Sequence, residues 1–245
     1  MENFWHTSDT IPSGFGFSHF DGFHLSWLGL FLIVLVTNVI LYRKLGQTGR
    51  ERWRKIVGAL LVADEMFMVI PLLITGRYTA AYLPLHLCSI NIWVSAVHSW
   101  KPGKLLGNFL YTVGIPGALA ALLFPTWTKL PVANYMLWHS FTVHILLVLY
   151  PAVQTLAGDI RPEWKLIPKT LALLGVFAAA AWIVNLLFDT NFMFLRYARA
   201  GNPLYIFQEA WGNHLYGFPV LGAAVIIVMY VPLGIIRKFK KKKCK

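Results

Sequence analysis

Apolar residues in this chain run in long, nearly unbroken blocks rather than in one-sided helical stripes or strand-like alternation. Seven blocks, at about 23–42, 56–74, 82–100, 105–124, 134–156, 167–187 and 218–236, approach the roughly 20 residues a helix needs to cross a bilayer. The pattern predicts an all-α, polytopic membrane bundle of seven transmembrane helices spanning 23–236. A polar segment, 1–22, precedes it, and a polybasic tail, 237–245, follows. The single long connection, 188–217, is aromatic and varied in composition. It reads as a packed or re-entrant loop rather than a linker. Pro71, Pro84 and Pro116 are expected to kink or cap their helices.

Composition agrees: 57% of the 245 residues are hydrophobic and 13% charged, against about 25% charged in soluble domains. In a soluble chain a net charge of +12 would suggest nucleic acid. Here it has another cause. Eighteen of the 22 cations fall in alternate loops, beginning with 43–55 and ending in the tail. The positive-inside rule then puts the N-terminus outside and the tail in the cytoplasm, against the anionic inner leaflet, with no role for nucleic acid. The expected location is the plasma membrane. The first block follows an acidic, aromatic flank and reads as a span, not a cleaved signal. Cys88 and Cys244 lie too far apart in this topology to pair.

The third block, Tyr82 to Trp100, is the polar one. Pro84, Cys88, Asn91 and Ser95 share one helical face, while His86 looks elsewhere. A polar stripe within a membrane is costly unless it faces partners or a wet cavity. A helix entering at Tyr82 would put Cys88 about 9 Å below the outer boundary, and one entering at Asn134 would put His139 about 7 Å down. At a shared level the two could act as nucleophile and base near the ester carbonyls of outer-leaflet lipids. His144 would lie about 15 Å down on the same helix, turned away from His139. Against function stands the ordinary use of a buried cysteine as a small apolar residue. Asn91 is a candidate oxyanion donor, and His86 a candidate orienting or electrophilic group. Asp64 and Glu65 are adjacent in the second block, where a charge costs roughly 2.5–3.5 kcal/mol on insertion scales. They are either interhelical hydrogen-bonding groups or, with His86 and His144, part of a transport path. No metal-ligand spacing, phosphate loop or dinucleotide motif is present, so neither metal nor cofactor is expected.

The strings LPLHLCSINIW, TVGIPGALAALLFP, LWHSFTVHILLVLYP and NFMFL resemble, in order and kind, the YwaF-like integral membrane proteins of Gram-positive bacteria. That family is related to vertebrate transmembrane protein 164. The resemblance implies a cysteine-centred acyltransferase working on membrane phospholipids or lysophospholipids, with Cys88 as nucleophile and a fifth-span histidine, His139, as partner. It adds His86 and the segment beginning at Asn191 as pocket elements. The sequence departs from the family at EAWGNHLYGFP, where His214 is extra. With water as acceptor the same pair would make a lipid hydrolase. A transporter built on Asp64 and Glu65, and an assembly protein without chemistry, are the competing expectations.

Overall fold

The computed structural model describes residues 4–7, 10–11, 14–198 and 202–243. Glu2, Asp9, Arg199 and Cys244 lie outside them. Among the described residues all regular structure is helical. The main helices are α1 (Gly22–Lys44), α2 (Gln47–Ile74), α3 (Leu87–Trp100), α4 (Lys104–Leu123), α5 (Tyr135–Ala157), α6 (Ile167–Phe188), α7 (Tyr205–Trp211) and α8 (Gly217–Lys243). Six of the apolar segments are long and apolar enough to cross a membrane. The chain forms two compact units, 1–162 and 163–245.

In the first unit α5 is the central helix: 67% of its apolar window is buried, against 17% for α1. Helices α1, α2, α3 and α4 all pack on it. Its ends are set by local chemistry. Asn134 caps the start, its Oδ1 accepting the Met136 and Leu137 amides. Gly158 closes the other end with φ +88°, a conformation that favours glycine. Asp21 caps α1 through the His24 amide at 2.8 Å. The amides of His24 and Ser18 donate to its carboxylate and hold it below the usual carboxylate pKa. The N-terminal segment folds over these helix ends. Phe4 and His6 offer carbonyls to Asn134 Nδ2, and His24 Nε2 meets the Leu122 carbonyl at 2.8 Å.

The opposite end gathers basic loops. Arg50 pairs with Asp159 at 2.8 Å, Tyr42 donates to the same carboxylate, and Arg43 donates to Leu156 O. Tyr42, Leu149 and Val153 form a buried cluster above this belt. The loop after α1 and the loop after α5 therefore meet at one end of the unit, as the alternation of charge requires.

Two elements depart from the sequence pattern. The third block was expected to enter as helix at Tyr82, but α3 begins at Leu87. Pro84 sits in a three-residue turn closed by Leu83 O and the Leu85 amide, and it blocks helix through 83–86. The 14 residues of α3 rise about 21 Å, short of a 30 Å hydrocarbon core. Within α4, residues Leu110–Gly114 form a π-turn. Pro116 has no N–H to give the Thr112 carbonyl and its ring crowds that oxygen, and widening the preceding turn relieves both.

In the second unit the 188–217 connection is ordered around two asparagines. Asn185 is fully buried and binds Phe192 and Thr190 through both ends of its amide. Asn191 accepts from the Arg196 amide and donates to Tyr197 O. Asp189 pairs with Arg196. The connection contains α7 and two short 3-10 turns. Past 236, α8 continues as helix to Lys243.

Candidate functional site

Starting α3 at Leu87 puts Cys88 in the first turn of a helix rather than in its middle. His86 is the N-cap and makes no side-chain cap bond. The first amides of a helix have no intrahelical acceptor, so the N–H groups around Cys88 and Ser89 are available where negative charge would be favoured. The side chain of His86 is exposed.

Cys88 Sγ lies 3.1 Å from His144 Nε2. The other ring nitrogen, Nδ1, lies 2.6 Å from Ser140 O, one turn back on α5. A carbonyl only accepts, so Nδ1 carries the proton and Nε2 is left as the acceptor for the thiol. The backbone of α5 thus fixes the tautomer that a base for Cys88 needs. Trp127, from the loop between α4 and α5, stacks on the imidazole at 5.0 Å and 21°. Phe141 meets the edge of that indole. Trp127 thus holds the plane of His144, with Phe141 behind the indole.

His139, expected as the base, is engaged elsewhere. Its Nδ1 bonds Asp64 O at 3.1 Å, with Asp64 Oδ2 at 3.0 Å but off the N–H axis. Its Nε2 lies 3.8 Å from Glu65 Oε2. Thr142 donates to Asp64 Oδ1 at 2.7 Å, and Ser89 bonds Glu65. This cluster ties α2, α3 and α5 together. The expected Cys88–His139 pairing is therefore corrected to Cys88–His144. The reason is depth. Chain that is not helical over 83–86 advances farther per residue than helix does. Cys88 therefore drops to the level of His144, nine residues and about 13.5 Å along α5.

Asn91 does not present a donor to Cys88. Its Nδ2 bonds Leu87 O at 2.7 Å within α3. Asn191 belongs to the second unit and spends its amide on its own loop. Two site residues escaped the sequence reading. Ser140 acts through its carbonyl, for which no side-chain pattern exists. Trp127 is a large aromatic in a short loop, a signal outweighed by the ten tryptophans of the chain. Among the described residues no three His, Cys, Asp or Glu side chains gather as metal ligands.

The arrangement supplies a thiol, a neutral imidazole oriented to accept its proton, and helix-start amides beside it. Those are the parts of covalent acyl chemistry. Compared with known proteins, residues 15–230 match the sequence model of the TMEM164 family. No curated protein and no solved structure matches.

Proposed function

We propose that this chain, which belongs to the TMEM164 family and is a multi-pass membrane protein, is an acyltransferase that carries phospholipid acyl chains as a thioester on Cys88. The observation that carries this reading is the 3.1 Å contact from His144 Nε2 to Cys88 Sγ with Nδ1 tied to Ser140 O. His144 takes the thiol proton as Sγ attacks the ester carbonyl. The oxyanion is met by the amides at the start of α3. His144 then returns the proton to the leaving glycerol oxygen, releasing a lysophospholipid. In the second half an acceptor hydroxyl attacks the thioester and gives its proton through His144 to the departing sulfur. The family resemblance supports lipid substrates. A transport path through Asp64 and Glu65 has less support, because both carboxylates are already bonded to neighbouring helices.

In the membrane we place the N-terminus outside, the tail at the anionic cytoplasmic leaflet, and α3 with the residues before it as a seventh, partly helical crossing. The 18-to-4 division of cations supports this orientation, as does the gathering of Arg43, Arg50 and Asp159 at one end of the first unit. The plasma membrane is the expected location. A cysteine introduced at Gln47 should resist impermeant reagents in intact cells and react after lysis.

The chemistry is tested by incubating purified protein with phospholipid vesicles and weighing the intact chain. A mass increase of one acyl group on Cys88, absent in Cys88→Ser, is the expected result. Lipid turnover by protein that never carries an acyl group, or unimpaired turnover by Cys88→Ser, would overturn it.

A further inference from the structure

At the basic end of the first unit Arg54 is half-buried, and its charge goes unanswered. It shares a face of α2 with Gly58 and Leu61, both buried, so it points into the end of the bundle. Its Nε is enclosed and has no hydrogen-bond partner among the described residues, whereas the outer amino groups of the fork are not enclosed in this way. The loops that meet here, 43–55, 101–104 and 157–162, hold nine Lys and Arg against two carboxylates, Glu51 and Asp159. Both carboxylates are taken. Glu51 is bonded to Lys55 at 2.7 Å, and Asp159 to Arg50 and Tyr42. Besides Glu51, the ionisable groups that the Arg54 charge acts on are Tyr42, His98 and Tyr150, and these bring no negative charge. Arginine keeps its proton in proteins. A partly buried guanidinium without a counter-ion therefore calls for an anion from outside the chain. Its height narrows the source. The apolar run of α2 begins two residues on, at Ile56, which puts Arg54 about 3 Å outside the hydrocarbon, in the headgroup layer.

We propose that Arg54 binds a phosphate group at this end of the bundle, carried by a lipid headgroup or present as free phosphate. The planar fork gives N–H groups to two oxygens of one phosphate. The ligand's negative charge supplies the counter-ion that the chain does not. The surplus of cations around it attracts an anion and raises its local concentration. Two other arginines of the same helix define the site by contrast. Arg50, one turn earlier on the same face, is spent on Leu45 O and Asp159. Arg52 carries the same charge about 200° around the helix and is exposed. The neighbours of Arg54 come from three other helices, Tyr42 from α1, His98 from α3 and Tyr150 from α5. A phosphate held there therefore stabilises the end of the bundle remote from Cys88. The site needs neither the thioester chemistry nor the assignment of membrane sides.

The test uses the full chain carrying Cys88→Ser, so that no lipid is consumed, stripped of lipid in detergent. The probes are phosphatidylglycerol, diacylglycerol with the same chains, and inorganic phosphate. The parent is compared with Arg54→Gln, Arg54→Lys and Arg52→Gln, by melting temperature and by ligand retained in native mass spectrometry. Phosphatidylglycerol should bind and raise the melting temperature where diacylglycerol does not. Arg54→Gln should bind it about tenfold more weakly, the loss of one charge-assisted contact. Arg54→Lys, which keeps the charge without the fork, should fall between, and Arg52→Gln should stay within about twofold of the parent. Without ligand, Arg54→Gln should melt no lower than the parent, because it removes a charge that has no counter-ion. An Arg54-dependent shift with inorganic phosphate as large as with the lipid assigns the free ion as the source; a shift with the lipid alone assigns the headgroup. Equal losses in Arg52→Gln and Arg54→Gln overturn the proposal, leaving only attraction to a basic surface. So does equal binding of diacylglycerol, or an Arg54→Gln that melts below its parent without ligand, which makes Arg54 a structural residue.

Discussion

His139 and His144 sit five residues apart on one helix, and the bundle treats them in opposite ways. His139 bonds the Asp64 carbonyl through Nδ1 and turns Nε2 toward the Glu65 carboxylate, 3.8 Å away. His144 spends one nitrogen on the backbone of its own helix and faces a thiol with the other. The first joins two helices; the second aims its acceptor nitrogen at a proton donor. In a membrane, where a polar group is expensive, what the second nitrogen of a histidine faces separates structure from chemistry better than its depth does.

That contrast can be broken by substitution. The largest effect belongs to Cys88→Ser, which should abolish acyl-adduct formation and cut turnover on the order of a thousandfold or more, measured with labelled phospholipid. His144→Ala should cost about 10²–10⁴-fold, the usual contribution of a positioned base, with the melting temperature little changed. His139→Gln should do the reverse. Its rate should stay within about tenfold while thermal stability in detergent falls, each interhelical hydrogen bond being worth about 0.6 kcal/mol and at most about 1.7. Equal rate losses at the two histidines would erase the distinction. Trp127→Ala removes the ring that holds His144. The stacking is worth about 0.5–1.5 kcal/mol, so turnover should drop by up to about tenfold and His144→Ala should mask the loss. The smallest effect lies outside the site. The Asp21 carboxylate is held below its ordinary pKa of 3.8 by the amides it caps. Its contribution is present above that value and is lost as the pH falls through the lowered one. Wild type should therefore lose the start of α1 in acid, a step missing from Asp21→Ala, as read by amide exchange near His24.

The helices were legible because apolar run length is a direct physical demand of the bilayer, and Cys88 because it stands in a polar stripe. The partner was not legible, since two histidines on α5 differ only through where α3 begins. Pro84 carried that information. Read as a kink it keeps Cys88 shallow and opposite His139; as the stop before a late helix start it lowers Cys88 to His144. The carbonyl that fixes the tautomer and the helix-start amides we propose for the oxyanion are backbone atoms, which no residue pattern records. Glu65 was left between charge path and hydrogen-bonding group, and its contacts with His139 and Ser89 belong to the second kind.

The π-turn at Leu110–Gly114 also makes α4 tolerant of its own length. A π-turn is an α-helix with one residue too many, and deleting any one residue within it restores an ordinary ladder. The wide turn already absorbs the extra residue, so everything after the deletion would keep nearly its present phase and height. The Leu122 carbonyl would still meet His24, and the loop carrying Trp127 would stay where it is. Losing the codon for Val113 would bring back the crowding between the Pro116 ring and the carbonyl four residues before it, whereas a deletion outside the turn would put the second half of the helix out of phase with the bundle.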